Sequence, residues 1–187
     1  MTKDIQLSPH FMLSEFCDCD EEMWGDEVRT ENFKLAQQEP YLTNLITLCT
    51  DILEPVRRYF GNPVIIISGM RYSILNSGKW TGLDYEMRRV RQKKSYRGVS
   101  QHTQGEAVDF IVLGVPTRRV WNWLWQNNKQ PFGQVIYEVE GRNAWVHASL
   151  PGSMDDQWIY GEVKEPYRDS TGRWYYKFVE RIDRWEE

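Results

Sequence analysis

Ten residues constrain this chain more than any other feature: Ser100-Gln-His102-Thr-Gln-Gly105-Glu-Ala107-Val-Asp109, running straight into the apolar stretch Phe110-Ile-Val-Leu113. From Glu106 the hydrophobic period is two. Ala107, Asp109 and Ile111 therefore share one face of a strand, and Val108, Phe110 and Val112 take the other. Gly105 permits a bend that folds His102 back toward Asp109, and small Ala107 leaves room beside them. A lone histidine and aspartate in such a place ordinarily form a polar turn leading into a strand. Here a second histidine, one of only three in the chain, lies in another strand-like run, Ala144-Trp-Val-His147-Ala-Ser-Leu150. Imidazole, carboxylate and imidazole make a catalytic zinc shell, in which three protein ligands leave a fourth position for water.

The pattern Ser-x-His-x-x-Gly-x-Ala-x-Asp resembles the signature of the zinc D-Ala-D-Ala peptidases, and Trp145-Val-His147 resembles that family's second zinc motif. Five fixed residue types, each at roughly 1 in 20, fall by chance in about one such chain in 10⁴. The family includes D-Ala-D-Ala carboxypeptidases and dipeptidases and the L-alanyl-D-glutamate endolysins of phages, and it shares its fold with the hedgehog signalling domain. The resemblance runs from about Leu7 to Leu150. It implies one Zn²⁺ per chain held by His102, Asp109 and His147, and an α+β fold in which an antiparallel sheet carries the zinc with helices packed on one face. The implied substrate is the peptidoglycan stem peptide, with Ser100 and Trp145 beside it.

Two further residues complete the expected site. Pro63-Val-Ile-Ile-Ile-Ser68 is a short apolar, β-branched run that reads as a buried strand, and the turn Ser68-Gly-Met-Arg71 presents Arg71 at its end. In the family the matching Ser-Gly-Tyr-Arg turn offers its arginine to a substrate carboxylate; here Met70 stands where the aromatic residue is usual. A guanidinium suits that role because it binds carboxylate through two parallel hydrogen bonds. Gly133 to Glu140 and Asn143 to Leu150 read as an antiparallel hairpin around Gly141-Arg142. That hairpin brings Glu138 within reach of the zinc site, and Tyr137-Glu138 resembles the position of the fold's catalytic glutamate, which makes Glu138 the general base. Glu140 lies on the same face of the strand by period and is the alternative.

Along the rest of the chain, Leu7 to Phe16 resembles the opening arm of phage members of the family, with His10 structural. Cys17 to Pro40 is acidic and irregular and reads as a solvated loop. Tyr41 to Phe60 carries one apolar stripe and reads as a helix, kinked at Pro55 and stopped by Gly61 and Pro63. Ile74 to Val99 is a polar, partly basic insertion, with one or two helical turns at Leu83 to Val90. Pro116 and Thr117 start a second helix, Arg118 to Asn128, burying Val120, Trp121 and Leu124. The division is residues 1–150 as a zinc peptidase domain with an N-terminal arm and residues 151–187 as a β-rich extension packed on it.

Composition sets limits on partners. With 23 basic and 27 acidic side chains and a formal net charge of −4, the chain offers no basic surplus for nucleic acid. Cys17, Cys19 and Cys49 form no disulfide framework, and with His10 the first two are at most a remote second metal site. No apolar stretch follows a basic N-terminal region, and none spans a membrane. The chain is therefore expected to be a monomer that stays in the host cytoplasm until released to the wall, or one carried in the virion against other virion proteins. The function implied by the resemblance is a phage endolysin or virion-associated wall hydrolase. The rival expectations are a virion structural or adaptor protein that keeps the zinc fold without turnover, and a cytoplasmic D,D-dipeptidase.

Overall fold

The computed structural model describes residues 3–18, 21–71, 100–127, 132–151, 160–168 and 174–183. A two-stranded ribbon, β1 (Gln6–Ser8) and β2 (Phe11–Met12), opens the chain. Six strands then form one sheet: β3 (Val64–Ser68), β4 (Ala107–Val112), β5 (Val135–Glu140), β6 (Asn143–Ser149), β7 (Tyr160–Arg168) and β8 (Trp174–Asp183). Their order is β3-β4-β6-β5-β7-β8. The class is α+β, as expected.

Every pairing in this sheet is antiparallel except β5 with β7. The exception follows from where β6 ends. Ala148 lies opposite Val135, so the chain leaves β6 at the start of β5, and Gly161 of β7 pairs with that same Val135. A strand returning at that end runs beside β5 in the same direction. The C-terminal residues thus extend the sheet through β7, and β8 pairs back on it.

Period two along the strands divides the sheet into a core face and a site face. Val108, Phe110, Val112, Val135, Val146 and Ala148 belong to one buried apolar cluster with side chains from the helices. Each fully buried Phe or Leu in such a cluster contributes about 1.5–3 kcal/mol. α3 (Tyr41–Leu48), a π-helical turn (Cys49–Leu53) and α4 (Glu54–Phe60) run on as the expected helix. Pro55 has no N–H to donate and its ring crowds the carbonyl four residues earlier, so the kink takes the form of a widened turn just before it. That turn buries Cys49, Ile52 and Leu53 together. Gly61, at φ 67°, closes the helix. α5 (Thr117–Asn127) buries Val120, Trp121 and Leu124, and the Trp121 indole donates to the Val135 carbonyl at 3.3 Å.

Two expectations are corrected. The acidic segment after Cys17 is mostly helix, α2 (Glu21–Ala36), rather than a loop. Its anchor is polar: buried Asn32 donates through Nδ2 to the carbonyls of Cys17 at 3.2 Å and Met70 at 2.8 Å. Strand β3 is not buried on both sides, for Ile65 and Ile67 are 44% and 48% exposed. It is the last strand of the sheet among the described residues, and only its Val64 face is covered. The insertion at 74–99, with Leu83 to Val90, lies outside the described residues, as does Cys19.

The arm packs where β3 ends. Leu13 and Phe16 of α1 (Leu13–Cys17) are fully buried, and the Met70 N–H donates to the Phe16 carbonyl at 2.8 Å. Ser8 and the backbone and ring of His10 all bond the carboxylate of Glu54, at 2.7, 3.1 and 2.9 Å, so α4 holds the ribbon down.

Candidate metal centre

Strand register places the first two donors. Asp109 of β4 sits opposite His147 of β6. The third comes from a single 3₁₀ turn, Gln101–Gln104, capped by Gly105 at φ 65°, where a side chain would be strained. This turn brings His102 back over β4. One ligand atom from each of His102, Asp109 and His147 lies within 4.8 Å of the others, and among the described residues no other cluster of metal-binding side chains forms. The three side chains belong to residues only 5%, 5% and 8% exposed.

Each donor is oriented. His102 Nδ1 lies 2.7 Å from the Gly69 carbonyl, which only accepts, so Nδ1 carries the hydrogen and Nε2 presents its lone pair toward Asp109 Oδ2 at 3.4 Å. His147 turns Nδ1 to Asp109 Oδ1 at 2.8 Å, while its buried Nε2 has no hydrogen-bond partner among the described residues. Burial holds the His102 imidazole below its ordinary range, so it is neutral, the form that ligates.

The residues fit a divalent metal. Two imidazoles and one ionised carboxylate are its nitrogen and oxygen donors, and the orphaned ring nitrogen shows a polar cluster that is incomplete by itself. Bonds of about 2.0–2.1 Å in a tetrahedral shell put neighbouring donors roughly 3.3 Å apart. His102 Nε2 and Asp109 Oδ2, at 3.4 Å, stand close to that separation.

The other expected residues fall around this trio. Arg71 follows β3, and its N–H donates to the His102 carbonyl at 3.0 Å. Its Nε donates to Ser68 Oγ at 2.9 Å and its Nη2 to Asp109 Oδ2 at 3.0 Å, so the guanidinium leans on a candidate ligand. Glu138 lies opposite Trp145 and accepts its indole N–H at 2.9 Å. Ile136 is the residue opposite His147, so Glu138 is one same-face step along β5 from the trio and Glu140 two. At about 3.4 Å per residue those steps are roughly 7 and 14 Å of strand. Ser100 caps the 3₁₀ turn through its carbonyl, which accepts from the Thr103 N–H at 2.8 Å and hydroxyl at 2.6 Å.

Two participants escaped sequence reading. The Gly69 carbonyl sets the His102 tautomer, and the Ser68 hydroxyl sets the arginine. Both lie in the turn that presents Arg71, but a backbone carbonyl leaves no trace in a side-chain pattern. His10 belongs to the arm and Cys17 to the core, and neither approaches a metal cluster. No helix among the described residues is long and apolar enough to cross a membrane. The chain matches no family model, no curated protein and no solved structure.

Proposed function

We propose that this chain is a zinc-dependent peptidase of hedgehog/DD-peptidase type, hydrolysing an amide bond of the peptidoglycan stem peptide as a phage endolysin or virion-associated wall hydrolase. The supporting observation is the buried trio of His102, Asp109 and His147 on the site face of the sheet, with a carboxylate one step away on β5. A zinc ion there supplies a Lewis acid that polarises the scissile carbonyl and lowers the pKa of water.

The chain's own residues do the rest. Glu138 takes the proton of the attacking water and returns it to the leaving amine, with its carboxylate aimed by the Trp145 indole on Oε2. Arg71, 40% exposed at its side chain, keeps Nη1 for a carboxylate of the peptide while Nε and Nη2 hold it in place. Ser100 and Trp145 flank the bound peptide. Exposed Ile65 and Ile67 leave the site face open on the β3 side, which suits a polymer better than a free dipeptide.

Mass spectrometry of muropeptides released from purified sacculi tests the reading. The expected result is new termini at one stem-peptide bond, lost after chelation and restored by zinc. Intact sacculi in the presence of zinc-loaded protein would overturn it.

A further inference from the structure

Asp109 stands between the two histidines, and both its oxygens are engaged. Oδ1 takes the His147 ring at 2.8 Å. Oδ2 takes Arg71 Nη2 at 3.0 Å while facing His102 Nε2 at 3.4 Å. A carboxylate oxygen has two lone pairs, so a donor on one directs the other. Arg71 is itself held at three points: its backbone N–H on the His102 carbonyl at 3.0 Å, its Nε on Ser68 Oγ at 2.9 Å, and its Nη2 on the aspartate. Ser68 pairs with Asp109 across β3 and β4, where the register shifts between Ile66 and Ser68. Hydroxyl, guanidinium and carboxylate therefore arise from the end of β3, the turn that follows it and the facing residue of β4.

We propose that Ser68 and Arg71 are a positioning pair that holds Asp109 Oδ2 in its metal-ligating orientation, an inference that rests on reading the trio as a metal centre. Two effects of Arg71 on a metal oppose each other. Its charge repels a cation, and its hydrogen bond orients the ligand. The guanidinium is 40% exposed and the aspartate 7%, so water screens the repulsion while the bond acts directly on a buried oxygen. Orientation wins. Partners of this kind typically change metal affinity by about 10–100-fold.

The test measures zinc affinity by competition with a chromophoric chelator, and the visible spectrum of the Co²⁺-substituted protein, in full-length variants. Arg71→Met should weaken zinc by about tenfold or more and alter the Co²⁺ bands, with the unfolding temperature of the metal-free protein near wild type. Ser68→Ala should weaken it by a smaller factor, and Ser68→Thr, which keeps the hydroxyl, should restore wild-type affinity. Unchanged or tighter zinc binding in Arg71→Met would overturn the proposal and make the arginine a competitor for the cation's place. Should Arg71→Met fail to fold, the Ser68 pair decides: equal affinities in Ala and Thr overturn the proposal. Wild-type protein that binds no zinc sinks this inference together with the proposed function. Wild-type protein that binds zinc without cutting sacculi sinks the function alone.

Discussion

His102 donates through Nδ1 to the carbonyl of Gly69 across 2.7 Å, so the nitrogen that one element turns toward Asp109 is set by the backbone of another. Gly69 is in turn pressed against the arm. A Cβ placed on it would stand 2.6 Å from the Phe16 carbonyl oxygen and 2.7 Å from its Cα. Arm, strand end and the His102–Asp109–His147 trio therefore form one continuous stack, which connects the N-terminal arm physically to the candidate site.

Gly69→Ala tests this stack. Backbone atoms of Phe16 cannot swing aside as a flexible side chain would, so the substitution should cost about 1–3 kcal/mol, the usual range for overpacking. Urea unfolding should show it as a lowered midpoint. Zinc affinity should fall as well, because His102 loses its fixed acceptor. An alanine variant of wild-type stability would mean that the arm is loosely seated.

Metal content follows from the trio. Elemental analysis of protein purified in zinc should find about one ion per chain, and His147→Ala should lose it. Zinc at 100 times its dissociation constant should stabilise the wild type by about 2.7 kcal/mol, seen as a raised unfolding temperature that His147→Ala lacks. Equal zinc in both proteins would place the ion elsewhere.

The base is the next target. Glu138→Gln still offers an oxygen to the Trp145 indole but accepts no proton, so zinc should remain while turnover falls by about 10² or more. Glu140→Gln, one same-face step farther from His147, should leave turnover near wild type. The reverse outcome would shift the assignment by two residues along β5.

Acid stability reports on the arm. Burial alone would raise Glu54, but the Ser8 hydroxyl and the His10 N–H and ring outweigh it and hold the carboxyl below its ordinary value. Its folded pKa thus lies below its unfolded one, so the stabilisation is fully present above the unfolded value and is lost as pH falls through the folded one. Thermal unfolding measured downward from pH 6 should lose stability below about pH 4.3, the ordinary glutamate value. Glu54→Gln should flatten that decline, and an unchanged decline would show that other carboxylates cause it.

The sequence made the metal trio legible because its spacing is short and its strand period regular: Ala107 to Val112 and Asn143 to Ser149 carry the two-residue alternation that faces Asp109 and His147 together. The helix from Tyr41 to Phe60 was legible from its stripe. α2 was not, because beside Ala36, Phe33 and Leu35 its hold on the core includes a buried Asn32, a residue type that more often marks a turn. Nor was the exposure of Ile65 and Ile67, since an apolar run reads alike at the centre and the margin of a sheet. The parallel partnership of β5 and β7 depends on a connection whose course no local pattern records. Ser68 stood in plain view in the arginine turn, but its role appears only once a guanidinium is seen resting on it.

The π-helical turn at Cys49–Leu53 gives this helix slack in length. A widened turn holds one residue more than α geometry needs, and the turns on either side stay in phase because that residue is taken up within it. Deleting one residue there would regularise the helix and leave Glu54 facing Ser8 and His10, so the ribbon would keep its fastening. The same deletion within α4, where each residue advances the azimuth by about 100°, meets no such slack and would swing the turns beyond it out of phase.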